Sequence, residues 1–377
     1  MIEIHGTCHE RFAGVRDAMT ANFNQGLDVG ASVAVTLNGE MVVDLWGGHA
    51  DEEKTRPWER DTITNVWSTT KTMTALCALM LADRGVIDLH APVARYWPEF
   101  AAAGKERVEV RHLLGHTAGL SGWQESVTVE TLYDWEKSTS LLAAQAPWWE
   151  PGTASGYHAT SQGHLVGEVI RRATGKTVGQ FFKEELAGPL GADFHIGLAP
   201  SEFGRVANVI PPPPLQVGEL DPASVAFRTF TSPPMDARVA WTEGWRRAEI
   251  PAANGHGNAR SVATVQSVLA CGGEVGGRRY LSEAGCRAVF EEQAHGTDLV
   301  LGIPVRFGMG YGLSSPELPM GAGENICYWG GWGGSLIVVD LDARMTVAYM
   351  MNRMGQGTVG DERGLGILMG AYAGLKG

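Results

Sequence analysis

The sequence predicts an α/β fold in which helices flank an antiparallel sheet and a mostly helical lobe is inserted between the strands. Two sets of strand-like runs, one near each end of the chain, indicate that both ends feed one sheet. The first set contains Asn38-Gly39, a dipeptide that is the strongest short signal of a β-hairpin. The predicted strands are at 32–36, 41–46, 326–329, 336–340 and 345–351.

Helical patterns account for much of the remaining chain. Segments 8–24 and 360–373 are helical candidates that would cover a face of the sheet. The chain has 377 residues, which exceeds the length at which one hydrophobic core usually suffices. We therefore predict a sheet lobe made of 1–60 and 250–377, a mostly helical lobe made of 61–249, and a cleft at the seam between them.

Ser68 is the most informative residue of the chain. It opens an apolar stripe of helical period that runs to about Asp83. Lys71 follows three positions later, so its amine and the serine hydroxyl should lie on one helical face, a turn apart. A hydroxyl beside an amine, at the positive end of a buried helix, is a candidate nucleophile.

Two later segments strengthen this candidate. The Pro151-Gly152 turn leads through small residues to Tyr157, in a loop that can present its phenol to a cleft. A glycine-rich run at 328–335 precedes a strand-like segment and lets another backbone or a substrate approach closely. Each segment alone is weak evidence, and the order and spacing of all three make the pattern specific.

These motifs resemble the class C β-lactamase-like serine hydrolase superfamily, which includes the penicillin-binding proteins, and most closely the family VIII carboxylesterases. The resemblance rests on Ser-Thr-Thr-Lys at 68–71, on Tyr157, and on Trp-Gly-Gly at 329–331, where the lactamases carry Lys-Thr-Gly. Supporting stretches are at 112–120, 189–191, 253–257 and 348–353. The resemblance covers nearly the whole chain and implies a β-lactamase/penicillin-binding-protein-like fold.

The residues also suggest how the chemistry would run. A serine hydroxyl needs a neighbouring base, and either a phenolate or a neutral amine can serve. We predict that the Lys71 ammonium lowers the pKa of Tyr157, so that Tyr157 removes the Ser68 proton and later returns a proton to the leaving alcohol. The alternative is that burial keeps Lys71 neutral and makes it the acylation base. The resemblance assigns the oxyanion-binding N–H groups to the backbone of Ser68 and Trp332.

Two departures from the lactamase pattern bear on the substrate. Lactamases of this class carry Tyr-x-Asn, whereas Ala159 here replaces the amide that would hold a β-lactam side chain. Trp329 stands where they carry a lysine, which removes a charge-assisted hydrogen bond worth about 1.5–3 kcal/mol to an anionic ligand. We therefore expect Ala159, Trp329, Gly330 and Gly331 to contact an uncharged, partly apolar ester.

Residues 199–250 form a segment that prolines punctuate and that shows no periodicity, so no regular helix is expected there. We interpret it as a wall or lid that selects the acyl or the alcohol group, and we expect Trp241 and Trp245 to contact substrate. The competing interpretation is a long surface loop packed by its own aromatic side chains. The aromatic residues concerned are Phe227, Phe230, Trp241 and Trp245.

Composition excludes several classes of protein. A net charge of −12 argues against binding to nucleic acid or to an anionic membrane surface. The five cysteines show no paired spacing, which indicates reduced thiols. No basic and apolar leader opens the chain, so we expect a cytoplasmic protein. No motif predicts a metal or a cofactor, and the sequence does not predict the oligomeric state.

The leading functional prediction is a serine carboxylesterase that hydrolyses small to medium carboxylic esters through an acyl-enzyme, with acyl transfer as a related reaction. The first alternative is a β-lactamase or D-amino-acid peptide-amide hydrolase, against which the missing lysine counts. The second alternative is a non-catalytic penicillin-binding-like protein that binds a ligand. The presence of Ser68, Lys71 and Tyr157 counts against this alternative, because a site without catalytic activity does not need these three groups.

Overall fold

A computed structural model describes residues 2–212 and 220–376, and it has the predicted α/β fold. The strands are β1 (Ile4–Cys8), β2 (Gly30–Leu37), β3 (Glu40–Gly48), β4 (Ile63–Asn65), β5 (Phe194–His195), β6 (Val206–Ala207), β7 (His256–Gly257), β8 (Glu274–Val275), β9 (Arg278–Arg279), β10 (Ala294–Thr297), β11 (Pro304–Phe307), β12 (Gly312–Leu313), β13 (Ile326–Gly330), β14 (Leu336–Asp340) and β15 (Met345–Met351). The α-helices are α1 (Ala13–Asn24), α2 (Thr70–Asp83), α3 (Val110–Leu114), α4 (Val129–Tyr133), α5 (Trp135–Ala144), α6 (Ser161–Thr174), α7 (Val178–Phe182), α8 (Gly188–Leu190), α9 (Val225–Phe230), α10 (Glu243–Arg247), α11 (Ala259–Ala270), α12 (Glu283–Arg287) and α13 (Glu362–Lys376).

The largest sheet has nine strands in the order β1-β3-β2-β15-β14-β13-β12-β11-β10, and its neighbouring strands are antiparallel. The adjacent strands β2 and β15 come from opposite ends of the chain, which confirms that both ends feed one sheet. Strands β14 and β15 coincide with the predicted runs 336–340 and 345–351. Every residue of both strands is buried, so their sequences read as nearly continuous apolar runs.

The hairpin between β2 and β3 forms at the predicted Asn-Gly dipeptide. Asn38 has φ of +54° and Gly39 has φ of +83°, which are the positive values that a tight two-residue hairpin turn requires. The turn pairs Leu37 with Glu40 and thereby starts the register of the two strands.

Helices cover both faces of the large sheet. Helices α1 and α13 pack closely on one another, and a Cβ placed on Gly14 would lie 3.3 Å from the Cα of Gly370. Helix α11 packs against β2, β14 and β15 from the other side, where Thr346 Oγ1 donates to the carbonyl oxygen of Ala263 at 3.2 Å. The predicted terminal helices are confirmed, although α1 begins only after a 3₁₀ turn at Glu10–Phe12.

The described part of the chain between 61 and 249 supplies helices α2 to α10 and three short strands, which join β7 in a small sheet ordered β5-β7-β4-β6. Helix α2 is buried on all sides from Thr70 to Leu81. Helices α6 and α7 of the inserted chain and helices α11 and α12 of the later chain all pack against it. The division of the molecule into two lobes stays a prediction.

The described helices of the segment 199–250, among them α9 and α10, are short, as its prolines indicate. Residues 213–219 of its proline-rich part lie outside the described residues.

No helix within the described ranges is both long enough and apolar enough to cross a lipid bilayer. The cytoplasmic location stays a prediction.

Candidate active site

Ser68 lies in a 3₁₀ turn, Trp67–Thr69, that leads directly into α2. Lys71 follows in the first turn of α2, and its Nζ lies 3.0 Å from Ser68 Oγ. Both residues are buried, with 8% of Ser68 and 1% of Lys71 exposed. The helix start therefore holds the amine against the hydroxyl, away from bulk water.

Tyr157 reaches the same oxygen atom from a loop. Its Oη donates to Ser68 Oγ at 2.5 Å. Asp298 anchors this loop. Its Oδ1 accepts from the backbone N–H of Tyr157 at 3.0 Å, and it also accepts from the N–H groups of Val300 and Leu301. An alcohol, an amine and a phenol thus meet around Ser68 Oγ.

Two main-chain carbonyl groups fix the direction of the Lys71 amine. Its Nζ lies 2.7 Å from the oxygen of Ala159 and 3.0 Å from the oxygen of Ala252. Carbonyl oxygens can only accept, so these two contacts use two N–H bonds, and another position on the nitrogen faces Ser68. In the neutral amine that position is the lone pair, which can accept the Ser68 proton.

The surroundings favour the neutral form of both groups beside Ser68. Burial lowers the pKa of Lys71 well below its ordinary value of 10.5. Burial raises the pKa of Tyr157 above its ordinary value of 10.0. A neutral amine provides no positive charge to stabilise a phenolate, so these two pKa shifts count against the Tyr157 phenolate and are consistent with the alternative base, Lys71.

The turn after β13 brings a second backbone segment against Ser68. A Cβ on Gly331 would lie 3.2 Å from the Ser68 nitrogen and 2.4 Å from the Val66 carbonyl oxygen, so this approach requires a glycine. Within the described ranges, neither the backbone N–H of Ser68 nor that of Trp332 donates to another protein group. A pair of free backbone N–H groups beside a nucleophile can bind an oxyanion, and the assignment of Ser68 and Trp332 to this role stays a prediction.

Ser335 joins the glycine-rich turn to the turn that carries Ser68. Its Oγ donates to the carbonyl oxygen of Val66 at 2.9 Å and lies 3.0 Å from Thr69 Oγ1. Its own carbonyl oxygen accepts from the Gly331 N–H at 2.9 Å. Sequence reasoning missed this serine, because nothing in its neighbourhood signals a partner 269 residues away.

Ser68 and Tyr157 open onto a cavity of about 430 Å³. Much of its described wall comes from Pro211, Pro212 and residues between 229 and 238, including Phe230 and Met235. Asp236 and Arg238 are the charged residues of the described lining, and they pair with one another at 3.1 Å. The cavity therefore suits a largely apolar, uncharged ligand.

Comparison with known proteins gives the family of this fold and site. The family model described as beta-lactamase matches residues 19–368. The chain belongs to the beta-lactamase family. This confirms the resemblance seen in the sequence and the fold that the resemblance implies.

Several members of the beta-lactamase fold are similar over most of their length. The crystal structure of a family VIII carboxylesterase is 45% identical, with a TM-score of 0.93, and the match covers 99% of this chain and 100% of that one. A penicillin-binding protein homologue from Caulobacter crescentus is 40% identical, with a TM-score of 0.92 and the same coverage of 99% and 100%. The esterase/beta-lactamase LipL of Mycobacterium tuberculosis is 36% identical, covering 93% of this chain and 83% of LipL. With a buried serine between an amine and a phenol, this member of the beta-lactamase family is a serine hydrolase.

Residues 329–331 are absent from the described lining of the cavity, and their contact with substrate stays a prediction. Trp329 is 2% exposed and packs against Tyr157, with 5.3 Å between ring centroids. Gly330 lies against the backbone of Gly360, whose nitrogen would be 2.5 Å from an added Cβ. The glycines of this beta-lactamase-family motif therefore admit neighbouring backbone. Ala159, in contrast, does line the cavity.

Trp241 and Trp245 are also absent from the described lining of the cavity, and their contact with substrate stays a prediction. Trp245 is fully buried, and its Nε1 donates to Asn65 Oδ1 at 2.9 Å. Trp241 is 41% exposed, and its Nε1 donates to the carbonyl oxygen of Val209 at 2.8 Å. Each indole N–H is thus bound to a protein acceptor, and an aperiodic segment gives no sequence signal of which aromatic ring turns inward.

Proposed function

We propose that this protein is a serine carboxylesterase that hydrolyses small to medium uncharged esters through an acyl-enzyme on Ser68. The observation that carries the proposal is the contact of one hydroxyl oxygen with an amine nitrogen at 3.0 Å and a phenolic oxygen at 2.5 Å, beside an apolar cavity. This contact supplies a base and a proton donor to one nucleophile. The similarity to a family VIII carboxylesterase and to LipL supports the proposal.

In acylation, Ser68 Oγ forms a bond to the ester carbonyl carbon while its proton passes to the neutral Lys71 amine. The backbone N–H groups of Ser68 and Trp332 stabilise the negative charge on the carbonyl oxygen. The bond between the carbonyl carbon and the alcohol oxygen then breaks, and Tyr157 gives its proton to the leaving alcohol. The proton held by Lys71 returns to Tyr157, so both groups are neutral again in the acyl-enzyme.

Deacylation repeats these steps with water in place of the alcohol. Water attacks the acyl carbon and loses a proton to Lys71, and the bond from that carbon to Ser68 Oγ breaks. Ser68 recovers its proton from Tyr157, which is reprotonated by Lys71, and the carboxylic acid is released. A second alcohol in place of water gives acyl transfer to that alcohol.

The cavity favours a neutral ester over an anionic β-lactam. Trp329 is enclosed among aromatic rings at the place where the lactamases carry a lysine, so it offers no cation to a carboxylate. Arg238 is the cation of the described lining, and Asp236 neutralises it. A carboxylate entering this cavity would lose its hydration without gaining a free partner.

Stopped-flow hydrolysis of 4-nitrophenyl butyrate tests the proposal. We expect a burst of nitrophenolate equal to the amount of active enzyme if deacylation is slower than acylation, and steady turnover in either case. Ser68→Ala should show neither burst nor turnover, and Ser201→Ala is the matched control because Ser201 is exposed and is not part of the described cavity lining. Turnover of a chromogenic cephalosporin in preference to every ester would support the lactamase alternative. Absence of any turnover would support the non-catalytic one.

A further inference from the structure

Trp67 combines three features that the proposed chemistry does not use. It precedes Ser68 directly, it lines the cavity, and it has φ of +49°, in the left-handed region that bulky side chains rarely adopt. A glycine would adopt this backbone conformation without strain. A large side chain held in a strained backbone beside a nucleophile points to a role for that side chain.

The Trp67 indole is locked between two other indoles. It meets Trp332 at 4.9 Å between ring centroids, with 61° between the planes, and Trp245 at 5.6 Å and 52°. Trp245 is itself fixed by its hydrogen bond to Asn65. Rings packed edge-to-face, as Trp67 is on Trp332, or tilted, as Trp67 is on Trp245, resist displacement, so Trp67 and Trp332 form a rigid part of the cavity wall.

The proposed chemistry defines which part of an ester this wall meets. The carbonyl carbon must lie at Ser68 Oγ, with its oxygen toward the N–H groups of Ser68 and Trp332. The leaving alcohol must lie toward Tyr157, which donates to Ser68 Oγ at 2.5 Å. The acyl α-carbon then takes the remaining direction, next to the side chains of Trp332 and Trp67. Trp332 carries one oxyanion donor, and Trp67 directly precedes Ser68, which carries the other.

We propose that Trp67 and Trp332 form an aromatic wall against the acyl α-carbon that restricts the enzyme to esters of acids unbranched at that carbon. This inference rests on the proposed esterase function. Removing either indole should open space for methyl branches on the α-carbon. It should leave the selection of the alcohol unchanged, because the alcohol lies on the Tyr157 side of Ser68.

The test compares kcat/KM for 4-nitrophenyl propionate and 4-nitrophenyl 2,2-dimethylpropionate, with each enzyme normalised by active-site titration. The wild type should favour the propionate. In Trp67→Gly, Trp67→Ala and Trp332→Ala this preference should fall by about tenfold or more, since each methyl group in a tight apolar pocket is worth about that factor. The preference between 4-nitrophenyl acetate and 2-naphthyl acetate should stay within about twofold of the wild type.

Two comparisons make the test specific. Trp67→Gly relieves the positive φ and Trp67→Ala does not, so equal shifts in acyl preference would assign the effect to the indole, and a shift in only one variant would overturn the proposal. Trp46→Ala removes an indole on β3 that is not part of the described cavity lining, and it should keep the wild-type preference. If the Trp67 variants do not fold, Trp332→Ala provides the test, because Trp332 is partly exposed. An unchanged preference between the two acyl groups in Trp332→Ala would then overturn the proposed aromatic wall. Absence of ester turnover in the wild type would refute the esterase function and the wall with it, whereas turnover with unchanged preferences refutes the wall alone.

Discussion

Tyr157 Oη lies 2.5 Å from Ser68 Oγ, although 89 residues separate the two along the chain. Because the phenol donates to this oxygen, the proton of Ser68 can point to Lys71 Nζ, which lies 3.0 Å away on α2. In the proposed mechanism these two contacts have different tasks: Lys71 takes the serine proton and Tyr157 supplies a proton to the leaving group. Experiments can separate these tasks.

The pH dependence of kcat/KM should report the ionisation of Lys71. The neutral amine is the active form, so kcat/KM should rise with pH through the Lys71 pKa and stay level above it. Burial lowers that pKa, so the rise should lie well below pH 10.5. Lys71→Arg, whose guanidinium cannot lose its proton, should lose about 10²–10⁴-fold in kcat/KM at every pH. A rise centred at the ordinary pKa of lysine would contradict the neutral base.

The loss in Tyr157→Phe should depend on the alcohol of the ester. An alkyl alcohol must be protonated as it leaves, so kcat/KM for ethyl butyrate should fall by about 10²–10⁴-fold. Nitrophenolate leaves without a proton, so 4-nitrophenyl butyrate should be affected much less. Measurement of both esters by pH-stat gives the comparison, and equal losses for the two would argue against Tyr157 as the acid.

Ser335→Ala should lower both kcat and the free energy of unfolding, whereas a control variant elsewhere in the sheet should lower only the free energy of unfolding. The substitution releases the glycine-rich turn from Val66 and Thr69, and we expect kcat to fall by about tenfold or more because the Trp332 N–H is no longer held at the oxyanion. Thr346→Val is a matched control, since it removes a buried hydroxyl that lies 2.6 Å from Thr36 Oγ1 in the sheet. Both variants should lose about 1–3 kcal/mol in urea unfolding, and only Ser335→Ala should lose activity. Equal activity in the two would contradict the role of Ser335.

Arg363 should be essential to the stability of the turn that carries Trp332. It is 4% exposed, and its guanidinium donates to Asp28 at 3.0 Å and to the carbonyl oxygen of Gly333 at 2.5 Å. Arg363→Met leaves the Asp28 carboxylate buried without its cation, which should cost about 3–5 kcal/mol in the free energy of unfolding.

The destabilisation by Arg363→Met should also depend on pH. Burial already raises the pKa of Asp28, and loss of the neighbouring cation raises it further. A carboxyl group whose folded pKa exceeds its unfolded value stabilises the fold at low pH and loses that contribution as pH rises. The variant should therefore lie closer to the wild type at pH 4 than at pH 7 in chemical unfolding. A difference independent of pH would contradict the burial of an unpaired carboxylate.

The local parts of the fold could be read from the sequence. Strands β14 and β15 were delimited by their unbroken apolar runs, and the hairpin by Asn38-Gly39, because the signals for these elements lie within a few residues. Ser68, Lys71 and Tyr157 could be selected because their spacing matches a known family pattern. The structure then brings all three to one oxygen.

The long-range parts of the site could not be read in this way. The Ala252 carbonyl that directs the Lys71 amine is 181 residues from it, and its residue type is uninformative. The positive φ of Trp67 depends on the packing around it and leaves no mark in a local pattern. Trp241 and Trp245 were expected in the cavity because they are aromatic, yet each is turned to a protein acceptor that only the folded chain provides.

The most direct test of the central claim is mass spectrometry of the enzyme after reaction with a fluorophosphonate, which traps an activated serine. We predict one adduct per chain, on the peptide that contains Ser68, and no adduct on Ser68→Ala or on the Lys71→Arg variant within the same time. An adduct on another residue, or an unlabelled Ser68 in an enzyme that loses its esterase activity, would contradict the assignment of Ser68 as the nucleophile.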